Sequence, residues 1–345
     1  MNYLLFLFVS SILAFYNDKI RHIKHLGQFL FLTLILFTGT RWKVGGDWEQ
    51  YTIYYDIAIT DRNPLKFILF YAINIFSSIL KLEILGKNII LITLFLFPFY
   101  YVFKKYYENF YLSLCILFPI IFIVYGMGSV RQGLAIAYFF LFLYYSGDRI
   151  IKIVLFILPF FFHPTVLILQ FFYIFTQIFK FDNYTKLFIK LFFFTIILLV
   201  SIYIGQEYIE TKIKNYISID TYKSVGAFVR AGFLSIFCLI FLVSLKKIKV
   251  ENDEIKTFLF YSSIFVLTLL PFTFYFTTSL DRILAYFLIL KLSITNEIIK
   301  NIDDKKLKRL ITTFFIFISF GYLTVWYFLG NKSHYWFNHQ CCYFY

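Results

Sequence analysis

The 345-residue chain is 61% hydrophobic and 24% aromatic, with only 15% charged residues, against about 25% charged in a soluble domain. That leaves too little polar surface to face water, which excludes a soluble globular protein and makes lipid the solvent. A formal net charge of +14 would point to nucleic acid in a soluble chain; in a membrane chain it reads as cytoplasmic-loop lysine, with no nucleic-acid partner.

In lipid the backbone must satisfy its own hydrogen bonds, which leaves helices or a closed barrel. Barrel strands alternate apolar and polar residues, whereas this chain has unbroken apolar runs such as 187–204 and 257–276, close to the roughly 20 residues of a spanning helix. The expected fold is therefore an all-α polytopic membrane protein, a single integral membrane domain over residues 1–345. The first run, 2–16, has no basic region before it and no small-residue cleavage site after it, so it reads as a retained helix rather than a signal peptide. Further spans are expected at 26–40, 88–103, 110–125, 131–146, 153–162, 165–179, 187–205, 227–245, 257–276, 283–298 and 310–329, making about 12 transmembrane helices. The run 153–162 is short and ends at His163–Pro164, which reads as a broken helix continuing into the next one. The stretch 64–81 is helical in pattern and is placed in the interface, on the outward side.

That placement makes the connections alternate. Loops 17–25, 104–109, 147–152, 180–190, 246–256 and 300–309 fall on one side and hold 19 of the 33 Lys and Arg residues. By the positive-inside rule that side is cytoplasmic. The outward side carries two longer connections, 41–87 and 206–226. Four cysteines are few and scattered: Cys115 and Cys238 lie in apolar runs and Cys341–Cys342 near the C-terminus, with no metal-ligand spacing.

Arginine departs from the lysine pattern. Arg41, Arg131, Arg230 and Arg282 all fall at outward ends of predicted helices. A single arginine there commonly snorkels to the head groups. Four at one level, against the positive-inside bias, point instead to a shared anionic site, because a guanidinium grips phosphate through two parallel hydrogen bonds. The most polar outward segment, 39–51, contains Gly45 and Gly46, which permit a tight turn or a close backbone approach. Its Asp47 and Glu49 are candidate general bases, and Asp47 could equally pair with Arg41 or Lys43. Trp42, Trp48 and Tyr51 offer flat faces for a sugar ring or an interfacial belt. His163, before Pro164, could titrate near neutral pH or cap a freed carbonyl. Asp281–Arg282 reads locally as a cap and anchor.

These residues resemble the signatures of the EpsG family of bacterial polysaccharide-biosynthesis membrane proteins, relatives of the Wzy-type O-antigen polymerases. The pattern runs Gly39, Arg41, Gly45, Asp47 and Tyr51, then Arg131-Gln132 opening a small-residue helix, then Phe162-His163-Pro164-Thr165, then Arg282 with Tyr286 one turn on. The resemblance runs in the right order from the first helix to the last, with Pro164 where a small polar residue is more usual.

What the resemblance implies is glycosyl transfer at the outer face of the bacterial cytoplasmic membrane, in a GT-C-like fold. The donor would be a glycan on undecaprenyl diphosphate and the acceptor the terminal sugar hydroxyl of another lipid-linked repeat unit. Arg41, Arg131, Gln132, Arg230, Arg282, Trp48 and Tyr51 would bind diphosphate and glycan, and Asp47 or His163 would act as base. The arginines could replace a metal, so neither metal nor cofactor is expected; the partners are the lipid-linked oligosaccharide, the bilayer and a chain-length regulator. A ligase shares the diphosphate leaving group and a flippase the basic cavity. A flippase would be expected to show inverted repeats or midplane charges, and the only such charge is Lys291.

Overall fold

The computed structural model describes residues 3–20, 23, 25–60, 68–178, 226–274, 277–330, 336 and 340–341. The expected span 187–205 and nearly all of the connection 206–226 lie outside these. The described chain is almost entirely helical: α1 Tyr3–Phe15, α2 Asn17–Ile20, α3 Leu26–Gly39, α4 Trp48–Thr60, α5 Ile68–Ile79, α6 Glu83–Tyr106, α7 Phe110–Leu117, α8 Val130–Tyr144, α9 Arg149–Phe162, α10 Leu167–Ile178, α11 Ala227–Ser244, α12 Asp253–Leu269, α13 Thr277–Tyr286, α14 Ile289–Lys300 and α15 Lys305–Leu329. Three of these are long and apolar enough to cross a membrane, within α6, α11 and α15, and several shorter apolar helices accompany them. Large apolar side chains remain exposed, among them Ile150 at 72%, Val243 at 83% and Phe328 at 75%. Along α9 such residues recur at 150, 151, 153, 154, 157, 160 and 161, an apolar perimeter suited to lipid rather than water. The chain is an all-helical membrane protein.

Four expected boundaries change. The connection 41–87 contains α4 as well as α5, which falls within the helical pattern expected at 64–81. The helix expected at 88–103 begins at Glu83, so Lys87 lies inside it rather than in a loop. The expected 110–125 span is α7 continued as a π-helix, Phe118–Gly126, with Pro119 at its start. The expected 283–298 span is two helices, α13 and α14, interrupted at 287–288. Four helix starts carry side-chain caps: Asn109, Asp148, Asn252 and Asp304 accept from backbone N–H groups at the starts of α7, α9, α12 and α15. Each cap satisfies donors that have no partner within the helix, and all four lie in loops assigned to the basic side.

Two compact units emerge: residues 1–167 with 291–345, and residues 168–290. In the first, α8 is the central helix, apolar on all faces and buried along nearly its whole length, as expected of a helix enclosed by others. It packs on α6, α9 and the π-helix, with Phe99 and Phe103 of α6 against its own Phe140 and Phe95 nearby, all fully buried. At one end of this unit the basic-side connections meet. Asn17 Nδ2 donates to the Glu108 carbonyl at 3.4 Å, Lys308 pairs with Glu108 at 3.3 Å, and Tyr106 bonds Ser146 at 2.9 Å. The 39–48 turn and the Gly126–Arg131 turn meet each other in the same unit.

A segment beyond α15 returns to that second group. Trp336 donates from Nε1 to the Ile123 carbonyl of the π-helix at 3.1 Å, and its own carbonyl accepts from the Tyr3 hydroxyl at 3.0 Å. Arg41–Trp42 forms a short antiparallel pairing with Gln340–Cys341, Arg41 opposite Cys341. The second unit is held by aromatic packing of Phe172 with Phe265 and Phe287, and by Tyr173 and Gln177 of α10 donating to Glu254 of α12. Buried Ser235, Ser262 and Ser263 lie on α11 and α12, where small residues let the helices approach closely.

Candidate functional site

The site begins with a backbone contact that only glycine permits. Gly45 has φ +106°, and a Cβ there would lie 2.3 Å from the Met127 carbonyl oxygen, so any side chain is excluded sterically as well as by conformation. The 43–46 turn therefore lies directly against the Met127–Gly128 backbone. Asp47 follows, and its carbonyl opens α4 by accepting from the Tyr51 N–H at 3.0 Å. Its carboxylate accepts from the Ser129 hydroxyl at 3.2 Å. Ser129 is the N-cap residue of α8, yet its side chain makes no capping bond and donates to Asp47 instead. A carboxylate is thus drawn up to the positive end of α8, where anions are favoured.

Arg131, in the first turn of α8, faces α4. Its guanidinium carbon lies 4.9 Å from the Tyr54 ring centroid and 5.7 Å from those of Tyr51 and Phe70. Its backbone N–H points at the Tyr51 hydroxyl at 3.5 Å, a long contact. Burial, reinforced by the Asp47 carboxylate, pushes the Tyr51 hydroxyl well above its ordinary pKa, with Arg131 acting in the opposite sense. Tyr51 therefore stays a neutral phenol between an anion and a cation.

The same aromatic helix covers two more cations. Arg41 is 2% exposed, lies 5.9 Å from the Trp48 ring, and donates to the Thr38 carbonyl in the last turn of α3 at 3.1 Å. That position complements the negative end of the helix; Arg41 does not snorkel. Lys87, 1% exposed, lies 4.9 Å from the Tyr55 ring and donates to the Tyr51 carbonyl at 3.1 Å. Sequence reasoning missed Lys87, placing it at a loop end, and missed α4. The only signal for them is that Trp48, Tyr51, Tyr54 and Tyr55 share helical spacing, so one helix can lay ring faces on all three cations.

The remaining expected residues are placed differently. Gln132 is buried on α8. His163 ends α9: its N–H caps the Pro159 carbonyl at 3.1 Å and its Nδ1 meets the Thr165 hydroxyl at 2.7 Å. The adjoining Phe162 stacks on Tyr138 with centroids 5.4 Å apart, roughly 10 Å along α8 from Arg131 at 1.5 Å per residue. In the second unit Arg230 of α11 forms a two-point pair with Asp281 of α13, Nε to Oδ1 at 2.6 Å and Nη2 to Oδ2 at 2.5 Å. Asp281 is therefore a long-range partner and not simply a local cap. Arg282 beside it is exposed. Among the described residues no group of three His, Cys, Asp or Glu side chains is placed to hold a metal ion.

A membrane bundle that sets a carboxylate, a guanidinium and a helix N-terminus together beside glycine turns defines a polytopic protein with a built polar site. The family model for EpsG matches residues 24–341, nearly the whole chain. The chain belongs to the EpsG family, a family of Wzy-like polysaccharide polymerases. No curated protein and no solved structure matches it.

Proposed function

We propose that this protein extends a lipid-linked polysaccharide, transferring a glycan from undecaprenyl diphosphate to the terminal hydroxyl of another lipid-linked repeat unit on the outer face of a bacterial cytoplasmic membrane. The observation that carries the reading is the juxtaposition of Asp47 and Arg131 at the N-terminus of α8, bridged by Ser129 and Tyr51. In the proposed step the acceptor oxygen bonds to the anomeric carbon as its proton passes to the Asp47 carboxylate. The anomeric carbon–oxygen bond breaks and its electron pair leaves on the diphosphate. That growing negative charge meets Arg131 and the positive end of α8, preorganised where charge develops. These cations supply the stabilisation that a metal gives elsewhere, so the proposed reaction is metal-independent. His163 is the alternative base.

Lys87 and Arg41 keep the 41–55 segment seated, through Tyr51, Tyr55 and Trp48. The test is purified protein in liposomes with a lipid-linked repeat unit. Longer lipid-linked products are expected. Transbilayer movement without bond formation would make it a flippase, and transfer only to a non-repeat acceptor would make it a ligase.

A further inference from the structure

α5 turns one face inward. Its buried residues are Phe70, Tyr71, Asn74 and Ser77, spaced three and four apart as one helical stripe requires. Phe70 joins that stripe to the site, its ring 5.3 Å from that of Tyr51 and 5.7 Å from the Arg131 guanidinium carbon. One turn along, Asn74 is 1% exposed, and neither its amide nitrogen nor its oxygen has a hydrogen-bond partner among the described residues. The buried Tyr71 hydroxyl is unpaired in the same way. On α6, which packs against α5, Asn88 Nδ2 is also buried without a partner. Ser77 shows the contrast: its hydroxyl is satisfied by the Ile73 carbonyl within the helix.

An unpaired buried amide is costly, whereas an apolar residue of the same shape costs nothing comparable. In the apolar sequence of α5, leucine at 74 would serve packing better. The unpaired atoms are neutral, and together they both donate and accept. That is the complement of sugar hydroxyl or acetamido groups and a poor complement of a diphosphate, which only accepts. Asn74 lies about one helical turn, roughly 5.4 Å, beyond the residue that touches Arg131. A sugar attached to a diphosphate at Arg131 is thus within reach.

We propose that Tyr71 and Asn74 form a saccharide subsite, holding the sugar next to the diphosphate. This rests on the polymerase reading above. The test measures binding of two probes to the full-length protein in nanodiscs: undecaprenyl diphosphate, and the same lipid diphosphate bearing one N-acetylglucosamine. The wild type should prefer the sugar-bearing probe about tenfold, the worth of one or two net hydrogen bonds. N74L should lose that preference, keep its affinity for the bare lipid, and unfold at or above the wild-type temperature. Y71F, which deletes only a hydroxyl, should lose a few-fold of it. R131A should weaken both probes.

A preference retained in N74L, or a lowered unfolding temperature in N74L, would overturn the subsite and make Asn74 a packing residue. Wild type binding only the bare lipid overturns the subsite while the diphosphate reading stands. Wild type binding neither overturns the reading and the subsite with it.

Discussion

Arg131 and Arg230 both stand near the outward end of an expected helix, Arg131 within a family signature and Arg230 outside one, and the structure surrounds them differently. Arg230 is locked to Asp281 by two short parallel hydrogen bonds, with both side chains about one-fifth exposed. Arg131 is lined by the rings of Tyr51, Tyr54 and Phe70. A carboxylate neutralises the charge it holds; a ring face orients the charge and leaves it a cation. The pair with Asp281 ties α11 to α13, whereas the rings around Arg131 tie the first turn of α8 to α4 and α5. In the proposed reaction it is Arg131, beside Asp47 at the start of α8, that meets the diphosphate.

Substitutions can break or sharpen that contrast. The largest effect is expected for Arg131→Ala: chain extension should fall on the order of 10²–10³-fold, the cost of removing one preorganised donor from a developing anion, with protein abundance unchanged. Arg131→Lys should recover part of it, since a point charge replaces the planar fork. Asp47→Asn comes next, losing about 10²-fold or more if it removes the general base, read from initial rates of lipid-linked product formation.

Gly45→Ala should cost about 1–3 kcal/mol in stability, because the new Cβ meets the Met127 carbonyl at a positive-φ position; a thermal unfolding scan checks this. Arg230→Ala should also destabilise by about 1–3 kcal/mol, by stranding Asp281. Arg230→Ala with Asp281→Ala should recover part of that loss, which a double-mutant cycle measures. The smallest effect is expected for Tyr51→Phe, which keeps the ring under Arg131 and removes only a long hydroxyl contact; activity should fall a few-fold at most, about 1 kcal/mol or less.

Part of the candidate site's local structure was legible in the sequence, and for identifiable reasons. Gly45, Asp47, Tyr51 and Arg131 lie where a close backbone turn and a helix start force specific residue types, so the motif spacing carried them. Helix α4 was not legible. Its run of Trp, Tyr and Asp shows no clean apolar period, because its buried faces cover cations instead of an apolar core. Lys87 misled for a related reason: a lysine marks a loop unless a carbonyl and a ring offset its desolvation, and here Tyr51 and Tyr55 do so.

The π-helix 118–126 hides in a uniformly apolar run, with Pro119 as its single hint. The seat of Trp336 on the Ile123 carbonyl depends on that irregular helix and could not be foreseen. Arg230 and Asp281 stand 51 residues apart, a pairing that local patterning does not encode.

The most direct test sets the two arginines side by side in one assay. Purified Arg131→Ala and Arg230→Ala/Asp281→Ala, each verified as folded, would be given a lipid-linked repeat unit in liposomes and the product lengths compared. The expected result is single-unit substrate remaining with Arg131→Ala, and wild-type chain lengths with the double variant. Wild-type extension by folded Arg131→Ala would contradict the account.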